Sequence, residues 1–388
     1  MFSLLSRIFI KQPEDYASPA VRRAYGMLAS FLGIALNVLL FLGKYLAGAA
    51  SGSIAVMSDA FNNLSDAASS VVTLIGFRAA GKQADEDHPF GHGRMEYIAG
   101  FVVSMIIILL GFELGKSAVQ KILSPEPAET SALTIVILVV SVCVKLYMSF
   151  YNRRIAARID SAAMRATATD SLSDAVATTV VLIAILVMHV TGVNIDGWCG
   201  LLVAGFILYA GYHAARDTIS PLLGNPPSAE FVYQVEEIVM AHEEVVGMHD
   251  LIVHNYGPGR VLVSLHGEVS GDGDIFLLHD QIDLIERELE EKLHCEATIH
   301  MDPIETDNEE IARLRVLVST LAREIHPELT IHDFRMVSGK THTNLIFDVV
   351  APHTLRLSDQ EVEHQLTEKI RAADAQYFAV IRVDRAYS

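Results

Sequence analysis

A chain of 388 residues has room for two or three domains, and 51% of its residues are hydrophobic, which implies a membrane portion joined to something wetter. The whole net charge of −18 falls in residues 221–388, where 31 acidic residues face 13 basic ones. Such acidity excludes nucleic acid as a natural partner and attracts cations. The three cysteines, Cys143, Cys199 and Cys295, have no CxxC spacing, which argues against a disulfide framework or a cysteine zinc site.

Lys11, Glu14 and Asp15 precede the first apolar run, so the N-terminus is unlike a signal peptide. Six apolar segments are then expected to cross a bilayer, which takes roughly 20 residues each. They are Tyr25–Leu46, Ser53–Ala80, Tyr97–Leu114, Leu133–Tyr151, Ala162–Val190 and Gly197–Ala214. The second and fifth are weak on hydropathy because they contain Asp59, Asn62, Asn63, Asp66, Asp170 and Asp174. Arg22, Arg23, Arg78, Lys82, Arg94, Arg153, Arg154, Arg158, Arg165 and Arg216 all flank one side of these spans. The positive-inside rule makes that side, and both termini, cytoplasmic. Lys44, Lys116 and Lys121 are expected to snorkel to the outer interface.

After Pro221 the pattern changes to amphipathic helices and alternating strands. Phe231–Ala241 is expected to be a helix, Met248–His254 and Val261–Val269 strands about a Gly257-Pro258-Gly259 turn, Ile282–Leu293 a helix and Ala297–Met301 a strand. The same order follows in Ile311–Ile325, Leu329–Met336, Thr343–Val350, Asp359–Ala372 and Tyr377–Val383. Met248-His249-Asp250-Leu251 matches Ile331-His332-Asp333-Phe334, so a duplicated α+β domain is expected, with an acidic linker at Pro303–Glu310. The expected organisation is a six-helix transmembrane domain at 1–220, a first cytoplasmic domain at 221–305 and a second at 311–388.

The chemistry lies in the two weak spans. Asn62 and Asp66 are four apart, and so are Asp170 and Asp174. On a helix, i and i+4 share one face, so each pair presents two oxygen ligands. A carboxylate at the centre of a span costs on the order of 3 kcal/mol on insertion scales and marks an ion path or a proton relay. Two such helices facing each other would gather Asn62, Asp66, Asp170 and Asp174 about one cation. Hydrogen bonding between helices through Asn and Asp is the competing explanation, and it is preferred for Asn63 and Ser65.

Met57-Ser58-Asp59-Ala60-Phe61-Asn62-Asn63-Leu64-Ser65-Asp66, the loop from Ala84 to Glu96 and the Asp170/Asp174 pair together resemble the cation diffusion facilitators. The resemblance runs over residues 25–305; the segment 311–388 departs from the shorter members. It implies a homodimeric, six-helix proton antiporter with a cytoplasmic ferredoxin-like domain, binding metal between the second and fifth spans. Zinc-selective members typically place a histidine in the quartet; here it is all oxygen, which suits a hard cation such as Mn²⁺ better than zinc. The Asn/Asp pair facing an Asp/Asp pair also resembles the manganese-exporting branch. Metal needs deprotonated carboxylates, so binding releases protons and protons serve as the counter-ion.

Two further positions attract attention. Asp85, His88 and His92 have the spacing of a transition-metal site and match a secondary family site; a structural role in shaping the Gly91/Gly93 loop is equally compatible. His249, His266, His300 and Asp302 match family ligands at a cytoplasmic dimer interface, the alternative being a polar seam. The second copy keeps His332 but has Asp348 and Arg382 where His266 and His300 would match, which assigns it a structural role. Asp59 also matches a family position, and packing is the favoured role for it.

No GxxxxGK[ST] motif occurs, so an ATP-driven pump is unsupported, and no enzymatic cofactor is expected. The expected function is Mn²⁺ export across a bacterial inner membrane. Export of Zn²⁺, Fe²⁺, Co²⁺ or Cd²⁺ is the nearest alternative, and a membrane-anchored metal sensor is the alternative from another class. A paired-aspartate intramembrane enzyme would need two aspartates sharing a proton, not four ligands in two matched pairs.

Overall fold

The computed structural model describes residues 2–386 apart from 12, 17, 52, 53, 125–131, 192–194, 306, 307, 340 and 353. Two compact units emerge, one comprising Met1–Asn225 with Asn255–Arg260, the other Pro226–His254 with Val261–Ser388.

The first unit is helical: α1 (Phe2–Phe9), α2 (Pro19–Ser51), α3 (Ile54–Ala80), α4 (Met95–Leu123), α5 (Ala132–Arg158), α6 (Ala162–Thr191) and α7 (Asp196–Leu223). The six segments expected from hydropathy correspond to α2 through α7, but their ends differ. Hydropathy marks the stretch that suits lipid, whereas backbone hydrogen bonding runs on into the aqueous boundary. Thus α2 opens at Pro19, whose fixed φ and missing N–H suit a first helical position, and α4 and α7 outrun Leu114 and Ala214.

Among the described residues, five of these helices are long and apolar enough to cross a membrane: α2, α4, α5, α6 and α7. The exception is α3, and its burial explains why. Its polar side chains Asn63, Asp66, Ser69, Ser70 and Thr73 are buried, while Phe61, Leu64, Val71 and Ile75 are exposed. That is the reverse of the pattern of a helix on the surface of a soluble protein. With 27 residues, α3 is about 40 Å long at 1.5 Å per residue, enough for the bilayer core.

Hydroxyl groups within the spans turn back on their own helices. Ser30, Ser104 and Ser171 each donate to the carbonyl four residues earlier. Others cross between helices. Thr73 of α3 meets Thr167 of α6 at 3.0 Å, and Ser149 of α5 donates to the Ala168 carbonyl of α6 at 2.9 Å. Where α4 crosses α6, a Cβ on Gly100 would lie 2.9 Å from the Ala163 Cα, so only glycine permits that approach.

The second unit comprises α8 (Ala229–Val239), β1 (Val245–Asn255), β2 (Val261–Ser270), α9 (Ile275–Leu293) and β3 (Glu296–Ile304). There follow α10 (Glu309–Ile325), β4 (Thr330–Ser338), β5 (Thr343–Pro352), α11 (Asp359–Ala373) and β6 (Tyr377–Ala386). The expected helix–strand–strand–helix–strand order therefore occurs twice, as two three-stranded sheets ordered β1-β2-β3 and β4-β5-β6. β2 runs parallel to β3 and β5 parallel to β6. Helix starts follow caps: Ser228, Asp274, Asn308 and Ser358 each accept from backbone N–H groups of the first turn. Asp274 is why α9 begins at Ile275 instead of Ile282. Its first turn, Ile275-Phe276-Leu277, is exposed and so shows no amphipathic period.

Each half packs its own apolar core, with Val263, Leu265, Ile285 and Leu289 in the first and Leu314, Leu345, Phe347 and Leu366 in the second. The halves are tied by buried Glu268, which accepts from Arg315 at 3.1 Å and from the Asp333 backbone N–H at 3.4 Å. Asp250 and Asp333 stand at matched positions, and both adopt left-handed backbone angles, φ 52° and 51°. Asp tolerates that region better than bulkier residues do. Phe347→Ala is expected to destabilise the second half by about 3–5 kcal/mol, the range for emptying a buried phenylalanine site, seen as an early thermal transition in the purified chain.

Candidate metal centres

The membrane site is assembled from three helices. Asp66 on α3 and Asp174 on α6 converge on Lys145, which projects from the middle of α5. The Lys145 Nζ donates to Asp66 Oδ2 at 2.6 Å and to Asp174 Oδ2 at 2.7 Å. These are short, charge-assisted bonds. The two carboxylate oxygens are thus separated by no more than the sum of those distances. Asp66 and Lys145 are buried, Asp174 is half-buried, and Asp170 is buried one turn before Asp174.

Asp66 and Asp174 share a cationic partner, whereas Asn62, one turn before Asp66, is exposed. Of the expected quartet, Asp66 and Asp174 are the two joined through the ammonium. The side chain of Asp59 lies outside the described residues, as do the connections 125–131 and 192–194.

Lys145 was missed in the sequence, although a signal existed: it is an ionisable residue inside the apolar run Leu133–Tyr151, and such residues are seldom idle. Lys44 is likewise corrected. It is only 4% exposed, within the helical unit, so it does not snorkel to the outer interface. Lys116 is exposed and paired loosely with Glu113 at 3.9 Å.

The loop between α3 and α4 brings Asp85, His88 and His92 together. Asp85 Oδ1 accepts from the His88 backbone N–H at 2.8 Å and lies 3.3 Å from its Nδ1. Asp85 Oδ2 is 3.5 Å from His92 Nε2. The two rings are 4.5 Å apart. The backbone bond from His88 holds the Asp85 carboxyl below its ordinary pKa. Ligand atoms from all three lie within 4.8 Å of one another. Gly91, at φ 79°, makes the tight turn between the histidines.

In the second unit Asp302 of β3 gathers the first half's histidines. Its Oδ2 is 2.8 Å from His266 Nδ1 and 3.3 Å from His249 Nε2, and its Oδ1 is 3.3 Å from His300 Nε2. His266 and His300 face each other across β2 and β3. His249, His266 and Asp302 fit a common ligand sphere; His300 stands beside it, more exposed. Two other groups were not anticipated. His332, Asp348 and Asp384 converge in the second half, and His249, Asp250 and His332 converge between the halves. Both ring nitrogens of His249 and of His332 are buried without a hydrogen bond. Burial, with His249 alongside, pushes the His332 imidazole below its ordinary pKa.

Two family models match the chain. The cation efflux transmembrane domain covers residues 30–223, and the cation efflux protein cytoplasmic domain covers residues 227–304. An uncharacterized transporter of Methanocaldococcus jannaschii is 31% identical over 71% of this chain and 97% of its own length. An uncharacterized transporter of Synechocystis is 28% identical over 73% of this chain and 91% of its own length. The cation-efflux pump FieF of Klebsiella pneumoniae is 26% identical over 73% of this chain and 95% of its own length.

Proposed function

The chain belongs to the cation efflux, or cation diffusion facilitator, family of multi-pass membrane transporters, and on that premise we propose that it exports Mn²⁺ from the cytoplasm in exchange for protons. The observation that carries this reading is the convergence of Asp66 and Asp174, from different helices, on one positive charge inside the helical unit. Where two buried carboxylates hold an ammonium, they can hold a metal ion once the ammonium steps aside. Asp170 supplies a third carboxylate from the same face of α6. Asn62 joins by a rotation of α3, which is the movement expected when the site closes on its cargo.

The donor set supports this choice of metal. Carboxylate and amide oxygens without imidazole or thiolate suit Mn²⁺ and disfavour Zn²⁺. Mg²⁺ gives up its waters reluctantly and competes poorly for a dehydrated site. Lys145 competes with the metal for the same two oxygens. That lowers affinity, but it offsets part of the carboxylates' charge after release, and protons offset the rest.

In this reading α3 is the sixth span, both termini are cytoplasmic, and the protein sits in the bacterial inner membrane. The working organisation is 1–220 for transport, with 221–305 and 311–388 as two ferredoxin-like copies of one ancestral domain. The match at 227–304 supports a homodimer joined through the first copy. His249, His266, His300 and Asp302 then sense cytoplasmic metal there, and Asp85, His88 and His92 form a secondary site near the entrance.

The test is uptake by proteoliposomes of purified protein, with Mn²⁺ and Zn²⁺ compared under an imposed pH difference. The expected result is Mn²⁺ flux that follows the pH difference and exceeds Zn²⁺ flux about tenfold or more, from the ligand preference. Flux of Zn²⁺ alone would leave the exchanger standing and overturn the metal assignment. Flux of neither would favour the membrane-anchored sensor.

A further inference from the structure

We infer that the second half of the cytoplasmic unit carries its own first-row divalent cation site, held by His332, Asp348 and Asp384. The strand register makes the case. In the first sheet His266 pairs with His300, and Asp302 lies two residues farther along β3. In the second sheet Asp348 pairs with Arg382, and Asp384 lies two residues farther along β6. His332 pairs with Asp348 across β4 and β5. The second half thus repeats the positions of His249, His266 and Asp302, with one histidine changed to a carboxylate. Comparing residues one by one suggested lost ligands; the fold brings a usable set together.

The geometry supports ligation. One donor atom from each of the three lies within 4.8 Å of the others. His332 is 6% exposed, and neither ring nitrogen makes a hydrogen bond. Asp384 Oδ2 is also buried without a partner. Leaving such groups buried and unsatisfied is unfavourable, and a bound cation would relieve it. The nearest competing charge is Arg382, whose Nε is 3.3 Å from Asp384 Oδ1; its side chain is mostly exposed and free to swing out. One imidazole nitrogen with two carboxylates suits Mn²⁺, Fe²⁺, Co²⁺ or Zn²⁺ and excludes preference for Ca²⁺.

The site's place gives it a consequence. The His332 ring stacks on His249 at 4.2 Å, and its Nε2 is 3.9 Å from Asp250 Oδ1. A cation on His332 therefore fixes the face that the second half offers to the first, and the chain needs no other subunit to complete it.

The experiment uses the full-length chain in detergent, carrying Asp174→Ala, which weakens metal binding at the membrane site while Asp66 keeps Lys145 paired. Mn²⁺ or Zn²⁺ per chain is measured by elemental analysis after equilibrium dialysis. Adding Asp348→Asn and Asp384→Asn should remove one equivalent per chain. A second variant guards against misfolding: Arg382→Gln, an exposed change, should tighten this equivalent about tenfold by removing a neighbouring positive charge. An unchanged count in the first variant, or unchanged affinity in the second, overturns the site.

Discussion

Asp174→Ala is expected to lower metal flux at least a hundredfold in proteoliposomes while the protein still inserts and keeps its size in detergent. The divalent ion loses a carboxylate ligand, and a hundredfold loss corresponds to about 2.8 kcal/mol of metal binding. The loss falls on function, because Lys145 retains Asp66 at 2.6 Å and the contact between α5 and α3 survives. Ser149 still ties α5 to α6 through the Ala168 carbonyl. Asp66→Ala should behave alike, with Asp174 keeping the ammonium. If either variant transports normally, the membrane carboxylates are not the carrier site, and the histidine-rich cytoplasmic unit becomes the functional part.

Lys145→Met should act in the opposite sense on affinity. Methionine keeps the length and apolar stem but removes the charge that occupies Asp66 Oδ2 and Asp174 Oδ2. The metal then meets no internal competitor, and apparent affinity should rise about tenfold or more, equivalent to ~1.4 kcal/mol. Release should slow in proportion, so maximal flux falls. The variant also leaves buried carboxylates facing each other, which lowers thermal stability in chelator. Mn²⁺ should restore that stability, and so should the added change Asp66→Asn. Affinity and flux measured together decide the matter. Weaker binding by Lys145→Met would mean that the ammonium positions the carboxylates for metal instead of competing with it.

Much of this was legible in the sequence, because lipid and water impose such different patterns. The six apolar runs correspond to α2 through α7, and the strands after Pro221 fall where their alternation puts them. Lys145 escaped because attention to hydropathy rewards the apolar run around it, and one lysine barely changes the average. The arrangement of Asn62 escaped for another reason: i, i+4 spacing fixes a shared face but not which way the helix is turned. The grouping of His332, Asp348 and Asp384 needed the strand register, since the three lie far apart in sequence and only pairing across β4, β5 and β6 makes them neighbours.

The lysine has an electrical consequence. Asp66, Asp170, Asp174 and Lys145 together carry two net negative charges at their formal values, and buried Lys44, whose charge also acts on Asp66, brings the set to one. One divalent ion and two protons change that charge by the same amount. On the proposed reading the carrier then has the same charge on its outward and its return stroke, so a full cycle moves no net charge and the acidity difference alone would set how far the cytoplasm can be emptied of metal. Removing Lys145 shifts the charge of both forms equally, so an imposed potential could alter the rate of a stroke but not the final metal gradient.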